Sequence, residues 1–275
     1  MKKSLSFLIA ITLFFAQNSL ACSSYKVSVG DKTMVGSNFD AYYLNCQLWF
    51  ENAKNASEYG AFFTGGRLDG ENGIAPQTGM NEFGLTFSRL ASAPPEKELL
   101  PKTLKKTITN PTNYLKEILH RCKNVEEVKS YISQYDYGFF SEDVFIYVDK
   151  SGKYLVVEPD TMVIGSEAKY VLANFCPSQI ADLSSVKQDK YQKGVTFLKN
   201  KIDTSLTFCT ALSDTMHVCR EKIGDGTLLT IIRDLDSGNF YLNFYHDYKH
   251  QIKFNGSSKV ITDKEKKRKF VLLWK

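Results

Sequence analysis

Several things are scarce in this 275-residue chain. Histidine occurs four times, and the six cysteines (Cys22, Cys46, Cys122, Cys176, Cys209 and Cys219) are scattered, with no C-x-x-C pair. A structural zinc site needs closely spaced thiolates and imidazoles, so none is expected. After the first sixteen residues no run approaches the apolar length of a membrane span, so no integral membrane segment is expected beyond the leader. Repeats and linkers are lacking too, which points to one domain. No composition class is extreme: charged residues make up 24% and aromatics 13%. Much of the +5 formal charge sits in Lys264-Glu265-Lys266-Lys267-Arg268-Lys269. That run has no interleaved aromatics for stacking bases, so no nucleic-acid partner is expected.

What is present begins with a secretory pattern. Lys2 and Lys3 precede an almost wholly apolar run from Leu5 to Ala16, and Ser19-Leu20-Ala21 puts small residues where a signal peptidase reads. Residues 1–21 are therefore expected to be removed, leaving 22–275 as a single exported domain, periplasmic or extracellular. Cleavage would make Cys22 the terminal residue, joining a thiol nucleophile and an amine base on one side chain and backbone. The alternative is lipoprotein acylation of Cys22, although Ser19 stands where that pattern wants Leu. Export also favours disulfides, with Cys209–Cys219 around "TALSDTMHV" the simplest pairing to imagine.

Secondary structure reads as strands over "SSYKVSV", "TMVGSNFD", "CQLWFEN", "YGAFFTGG" and "GLTFSRLAS", separated by Gly, Asn and Asp turns. Two helical patterns follow: Tyr114, Ile118 and Leu119 mark one face, and Val125, Val128 and Ile132 the next, with Asn124 as N-cap. "DVFIYVDKSGKYLVVEPD" reads as a hairpin, "DKYQKGVTFLKN" as a helix, and "GTLLTIIRDLDSGNFYLNFYHD" as a last hairpin around Asp-Ser-Gly. The economical fold is α+β on antiparallel sheets.

A thiol attacks a carbonyl only as thiolate, so it needs a base. His120 lies in a charged helical segment, His217 in a loop or helix between two cysteines, and His246 and His250 in "FYHDYKHQ". None sits in a nucleophile signature, and each reads as a surface or packing residue. A terminal cysteine needs no histidine, because a free α-amine of pKa roughly 7.7 to 8.0 can take the thiol proton.

Cys22 opening a strand, "VGSNFD" ending eighteen residues on, "GMNEFGL", "EDVFIYVDKSGKYLVVEP" and "YVLANF" stand in one order along the chain. Together they resemble the N-terminal nucleophile (Ntn) hydrolases of the choloylglycine hydrolase and penicillin V acylase family. The resemblance implies a four-layer αββα sandwich with two antiparallel sheets. It implies Cys22 as nucleophile and, through its amine, base. Asp40 would orient the nucleophile, and Asn81 and Asn174 would lie around the acyl carbonyl, with Asn174 donating to the oxyanion. Read without the resemblance, Asp40 is a turn residue, Asn81 a cap or turn residue, and Asn174 a strand-end side chain. The chain departs from the family at Ser37, where bile-salt hydrolases carry Arg, and at Lys190, which takes the place of a second Arg. Lysine cannot reproduce bidentate guanidinium contacts, so the reaction type carries over and bile-salt specificity does not.

The expected activity is hydrolysis of a linear, non-peptide C–N amide through an acyl-thioester, without metal or organic cofactor. The expected partner is a small N-acyl amide whose acyl side meets apolar rings among Trp49, Phe50, Phe62, Phe63 and Phe83, each of which reads at least as well as plain core; a homo-oligomer is compatible with the sequence. Acyl transfer from the same thioester and a lipid-anchored binding protein are the competing readings.

Overall fold

The structure is a computed structural model that describes residues 22–42, 46–94, 105–220 and 225–256. Residues 1–21, expected to form the leader, and the basic run at 264–269 lie outside the described residues.

Where both faces of a strand are covered, every position must be apolar or hydrogen-bonded, and "DVFIYV" is buried at all six positions. One sheet contains β1 (Ser23–Val29), β2 (Lys32–Tyr42), β14 (Lys169–Leu172), β15 (Cys219–Arg220), β16 (Asp225–Asp234), β17 (Asn239–Phe244) and β18 (Ile252–Asn255). Its order is β14-β1-β2-β16-β17-β18, with β15 also on β16. The other contains β3 (Gln47–Glu51), β4 (Ala61–Gly65), β7 (Thr78–Asn81), β8 (Thr86–Ala91), β11 (Asp143–Val148), β12 (Tyr154–Val157) and β13 (Met162–Gly165). It runs β13-β12-β11-β8-β7-β4-β3. Two short ribbons, β5 (Arg67–Leu68) with β6 (Ile74–Ala75) and β9 (Lys106–Thr107) with β10 (Tyr135–Asp136), sit apart from these sheets.

Alternation along the strands builds the layers. Val35 and Phe39 of β2 and Leu229 and Ile231 of β16 point inward to meet Phe62, Met80, Leu90 and Ile146 of the facing sheet. Tyr25, Val27, Met34 and Ile232 point the other way, onto α3 (Asp189–Asn200) and α4 (Leu206–Met216) through Leu198, Leu212 and Met216. Phe63, Phe87, Phe145 and Tyr147 of the second sheet take α1 (Pro111–Arg121) and α2 (Val125–Ile132) through Leu115, Ile118 and Val128. The result is the αββα order that the resemblance implied.

The hairpins turn at Gly152 (φ 82°) and Gly238 (φ 70°), and the Asn110 and Asn124 side chains accept from Asn113 N and Glu127 N to cap α1 and α2. Gly36 has a packing reason of its own. A Cβ there would stand 2.1 Å from the ring of Tyr25, which lies across it and donates its hydroxyl to Cys209 O at 2.6 Å, pinning β1 to α4.

Two expectations need correction. The segment "LTFCTALSDTM" is helix α4, not foreseen because its Thr, Ser and Cys are weak helix formers; the helix is capped by Ser205 and held by its buried face. That helix also defeats the Cys209–Cys219 disulfide. Cys209 faces the core from inside α4 and Cys219 is exposed on β15, with no disulfide between them. Of the aromatics, Phe62 stacks on Phe240 at 3.8 Å between the sheets and Phe63 lies under α1, so for these two rings the core reading holds.

His120 is a packing residue. Its Nδ1 is 2.6 Å from Tyr59 O and its Nε2 3.2 Å from Glu51 Oε2, while Lys116 Nζ is 3.0 Å from Glu51 Oε1. Burial alone would raise the Glu51 carboxyl, but hydrogen bonds from His120, Trp49 and Lys116 outweigh it and hold the group at about 2. A folded pKa below the unfolded value stabilises fully above the unfolded pKa and loses that stability as pH falls through the folded one. Urea titrations should therefore show Glu51→Gln less stable than the parent at pH 7, with the gap closing between about pH 4.5 and 2. A gap that stays constant over that window would remove the carboxylate from the account.

Candidate active site

Cys22 immediately precedes β1, on the side of the chain that faces the second sheet, and is 5% exposed. Its Sγ lies 3.9 Å from the main-chain oxygen of Asp40 and 3.8 Å from Nε2 of Gln77. The first contact comes from its own sheet. The second comes across the interface, since Gln77 directly precedes β7. The Gln77 amide also donates to Arg89 O, which fixes its orientation.

Asp40 is 2% exposed, with its carboxylate turned to the helix side of β2. Oδ1 accepts from Thr227 Oγ1 at 2.5 Å, and Oδ2 is 3.7 Å from Lys190 Nζ. Thr227 is opposite Asp40 on β16, and the register shifts between Thr227 and Leu229. This bulge aims the Thr227 hydroxyl at the carboxylate while Val218 N donates to that hydroxyl. Gly226 (φ 153°) makes the approach feasible, because a Cβ there would meet Val218 O at 2.6 Å.

Lys190 enters from the first turn of α3, 6% exposed, and donates to Asn174 Oδ1 at 2.5 Å. Lysine has only donors, so the amide oxygen of Asn174 must face the ammonium and its NH2 must face away, where it donates to Ala91 O at 2.6 Å. The backbone of Asn174 exchanges two bonds with the Gln188 side chain, N to Oε1 at 3.2 Å and O from Nε2 at 2.9 Å. These bonds tie the start of α3 to the end of β14. Lys190 thus serves two acceptors on two elements, a task for a point charge rather than a fork.

Burial pushes the Cys22 thiol up to about 11; the Asp40 charge adds to the rise, while Lys190, the main-chain contact to Asp40 and Arg67 oppose it. Cys46 is also buried, and its thiol is pushed up to about 12 by burial and then by the charge of Cys22 beside it. In the uncut chain, then, Cys22 is a protonated thiol at neutral pH, and a nucleophile only if a base is brought to it.

Cys22, Asp40, Asn174 and Lys190 are thus brought together. The Asn81 side chain is not among them. Its Nδ2 donates to Leu119 O and Cys122 O, both at 2.8 Å, and its Oδ1 accepts from Phe83 N and Leu85 N, both at 3.1 Å. The amide caps the end of α1 and closes the β7–β8 turn, on the opposite face of the sheet from Met80 and at the far end of β7 from Gln77. A recess of about 410 Å³ at that end, lined by Phe50, Asn55, Glu58 and Glu82 among others, does not include Cys22.

Three residues of the surroundings escaped the sequence. Gln77 and Thr227 carry no local signal, because an amide beside a strand and a threonine within one are commonplace. Arg233 had one: it is the sole charge inside "TLLTIIR". It is fully buried, and its Nη1 donates to Ser37 Oγ at 3.1 Å, so a guanidinium does stand at the position where the sequence shows only serine. The remaining histidines lie elsewhere: His217 bonds to Asp214 O, His250 to Asp247 Oδ2 at 2.7 Å, and His246 stacks on His217.

No protein-family model and no curated protein matches the sequence. Solved structures do. A variant of conjugated bile acid hydrolase from Clostridium perfringens superposes with a TM-score of 0.62 at 17% identity, covering 84% of this chain and 92% of that one. Penicillin V acylase from Agrobacterium tumefaciens gives 0.58 at 12% identity, with 82% and 83% covered. The Caenorhabditis elegans ortholog of N-acylethanolamine-hydrolyzing acid amidase gives 0.51 at 10%, with 78% and 93% covered. At such identities the likeness is one of fold: this chain has the sandwich of those three proteins over most of its length.

Proposed function

We propose that the chain is an exported amidase that hydrolyses a linear, non-peptide C–N amide, with Cys22 as the N-terminal nucleophile once residues 1–21 are removed. The observation that carries the reading is the burial of the Cys22 thiol against Asp40 O and Gln77 Nε2, with the Asp40 carboxylate paired to Lys190 and Lys190 bonded to Asn174. Three proteins of the same fold whose names describe amide hydrolysis support it.

In this reading the freed α-amine, of pKa roughly 7.7 to 8.0, takes the Sγ proton and overcomes the burial that holds the thiol at about 11. The thiolate adds to the acyl carbon, and the carbonyl electrons move to oxygen. The Asn174 NH2, oriented by Lys190, then serves the oxyanion, where loss of one donor typically costs about 2.7 to 4 kcal/mol of barrier. The C–N bond breaks as the α-ammonium returns its proton to the leaving nitrogen. Water, deprotonated by the same amine, then attacks the thioester and releases the acid and the free thiol. Asp40 holds the charge balance: its carboxylate, fixed by Thr227 and Lys190, supports the ammonium form.

The test begins with the mature N-terminus. Intact mass of protein recovered from an exporting host should show loss of residues 1–21 and nothing added to Cys22. That protein should release amine from at least one member of a panel of N-acyl amides that includes penicillin V and conjugated bile salts. A lipid mass on Cys22, or full activity in the uncut chain, would overturn the reading.

A further inference from the structure

We infer that Arg233 is a positioning residue for the Cys22 thiol, holding Gln77 in place by clamping the two sheets together beneath the site. This rests on the reading of Cys22 as the reacting group.

Between the sheets a polar plug interrupts the apolar core near Cys22. There Ser24 and Ser37 of one sheet meet Ser88 of the other: Ser24 Oγ lies 3.2 Å from Ser37 Oγ and 3.3 Å from Ser88 Oγ, and Ser37 Oγ is 2.5 Å from Ser88 Oγ. Arg233 completes the plug. Nη1 donates to Ser37 on its own sheet, and Nη2 donates to Thr78 Oγ1 on the facing sheet. Its Nε has no partner among the described residues. Arg89 and Arg121 each meet a carboxylate, Asp143 and Glu117, whereas among the described residues no carboxylate is paired with Arg233.

A fully buried guanidinium without a counter-ion is an expensive way to fill a core, and an apolar side chain of similar length would pack there at no such cost. Burial lowers the group's pKa from its ordinary value to about 9, which shows the same strain in another form. The location says what the clamp acts on. Ser24 follows Cys22 by two residues on the same face of β1, roughly 7 Å along the strand. Thr78 directly follows Gln77, the residue whose amide reaches Sγ from the opposite sheet. Arg233 does not touch the thiol. It sets the spacing of the two strands whose ends meet at it.

The test reads Cys22 itself and needs no substrate. Alkylation of Cys22 by iodoacetamide is followed by peptide mass spectrometry across pH. A Gln77 donor favours the thiolate, so its displacement raises the thiol pKa. Arg233→Met should slow alkylation at neutral pH by about tenfold and move the profile to higher pH, while its melting temperature equals or exceeds that of the parent. Gln77→Leu should reproduce the slowing, and the double variant should add little to either, as for residues acting through one contact. Arg233→Lys should restore part of the rate. Should Arg233→Met not fold, Thr78→Val removes the cross-sheet acceptor with the guanidinium kept, and should slow alkylation in the same direction. Parent-like rate and pH profile in a folded Arg233→Met, or in Thr78→Val where that replaces it, would overturn the inference. So would full additivity with Gln77→Leu. A parent protein that cleaves no amide would sink the proposed activity and leave this result standing.

Discussion

Cys22→Ser is expected to fold and to be processed like the parent, because the exchange is nearly isosteric at a 5%-exposed position, yet to lose amide turnover by three orders of magnitude or more. A hydroxyl is far harder to deprotonate than a thiol, and an amine of pKa about 8 cannot generate an appreciable fraction of alkoxide. Substitution of His217, His246 or His250 should leave kcat/KM within a few-fold. His120 needs separate treatment because it is locked between Glu51 and Tyr59 O, so its variants are read per folded molecule. The measurement is kcat/KM on whichever amide the panel identifies. A folded histidine variant as inactive as Cys22→Ser would show that the thiol proton goes elsewhere.

Asp40→Asn is expected to cost both activity and stability, and the two can be separated. The substitution leaves the Lys190 ammonium, 6% exposed, without its ionic partner, and breaking a buried pair from one side typically costs about 3 to 5 kcal/mol. Asn174 Oδ1 still accepts from Lys190, so the lower end applies. Activity should fall by at least about a hundredfold, since the charge supporting the protonated amine is gone. Adding Lys190→Met should return much of the stability and none of the activity. Urea denaturation and kcat/KM on the four proteins complete the cycle. A double variant that regained turnover would show that Asp40 acts only as a packing partner of Lys190.

Much of this architecture was legible because its signals are local. Asn124 caps a helix within three residues of itself, Gly152 and Gly238 turn hairpins, and "DVFIYV" is too apolar to face water anywhere. Cys22 stood out for a different reason: a pattern that resembles a cleavage site and a thiol coincide there. Asp40 and Asn174 came from ordered motifs and Lys190 from a departure from them, and the structure links the three through the Lys190–Asp40 ion pair and the Lys190–Asn174 hydrogen bond. What escaped depends on tertiary neighbours. Asn81 has the same motif support as Asn174, but whether an asparagine side chain serves a carbonyl or caps a helix is decided by the position of α1, which no local pattern gives. Helix α4 forms from a poor helical sequence because Tyr25 and its neighbours cover one face. Gln77 matters only because the facing sheet brings its amide to Sγ.

Lys190 comes from the helix layer, whereas the thiol and the carboxylate come from the sheet. Hydrogen bonds within a sheet interior open only with global unfolding, but a peripheral helix can detach at far lower free energy. Swinging α3 away would free the Gln188 latch, remove the cation from Asp40 and release Asn174 to rotate, with both sheets still paired. Amide protons of α3 would then exchange sooner than those of β1 and β2 on warming. In the proposed enzyme, turnover is then expected to be lost with the melting of α3, before the sheets come apart.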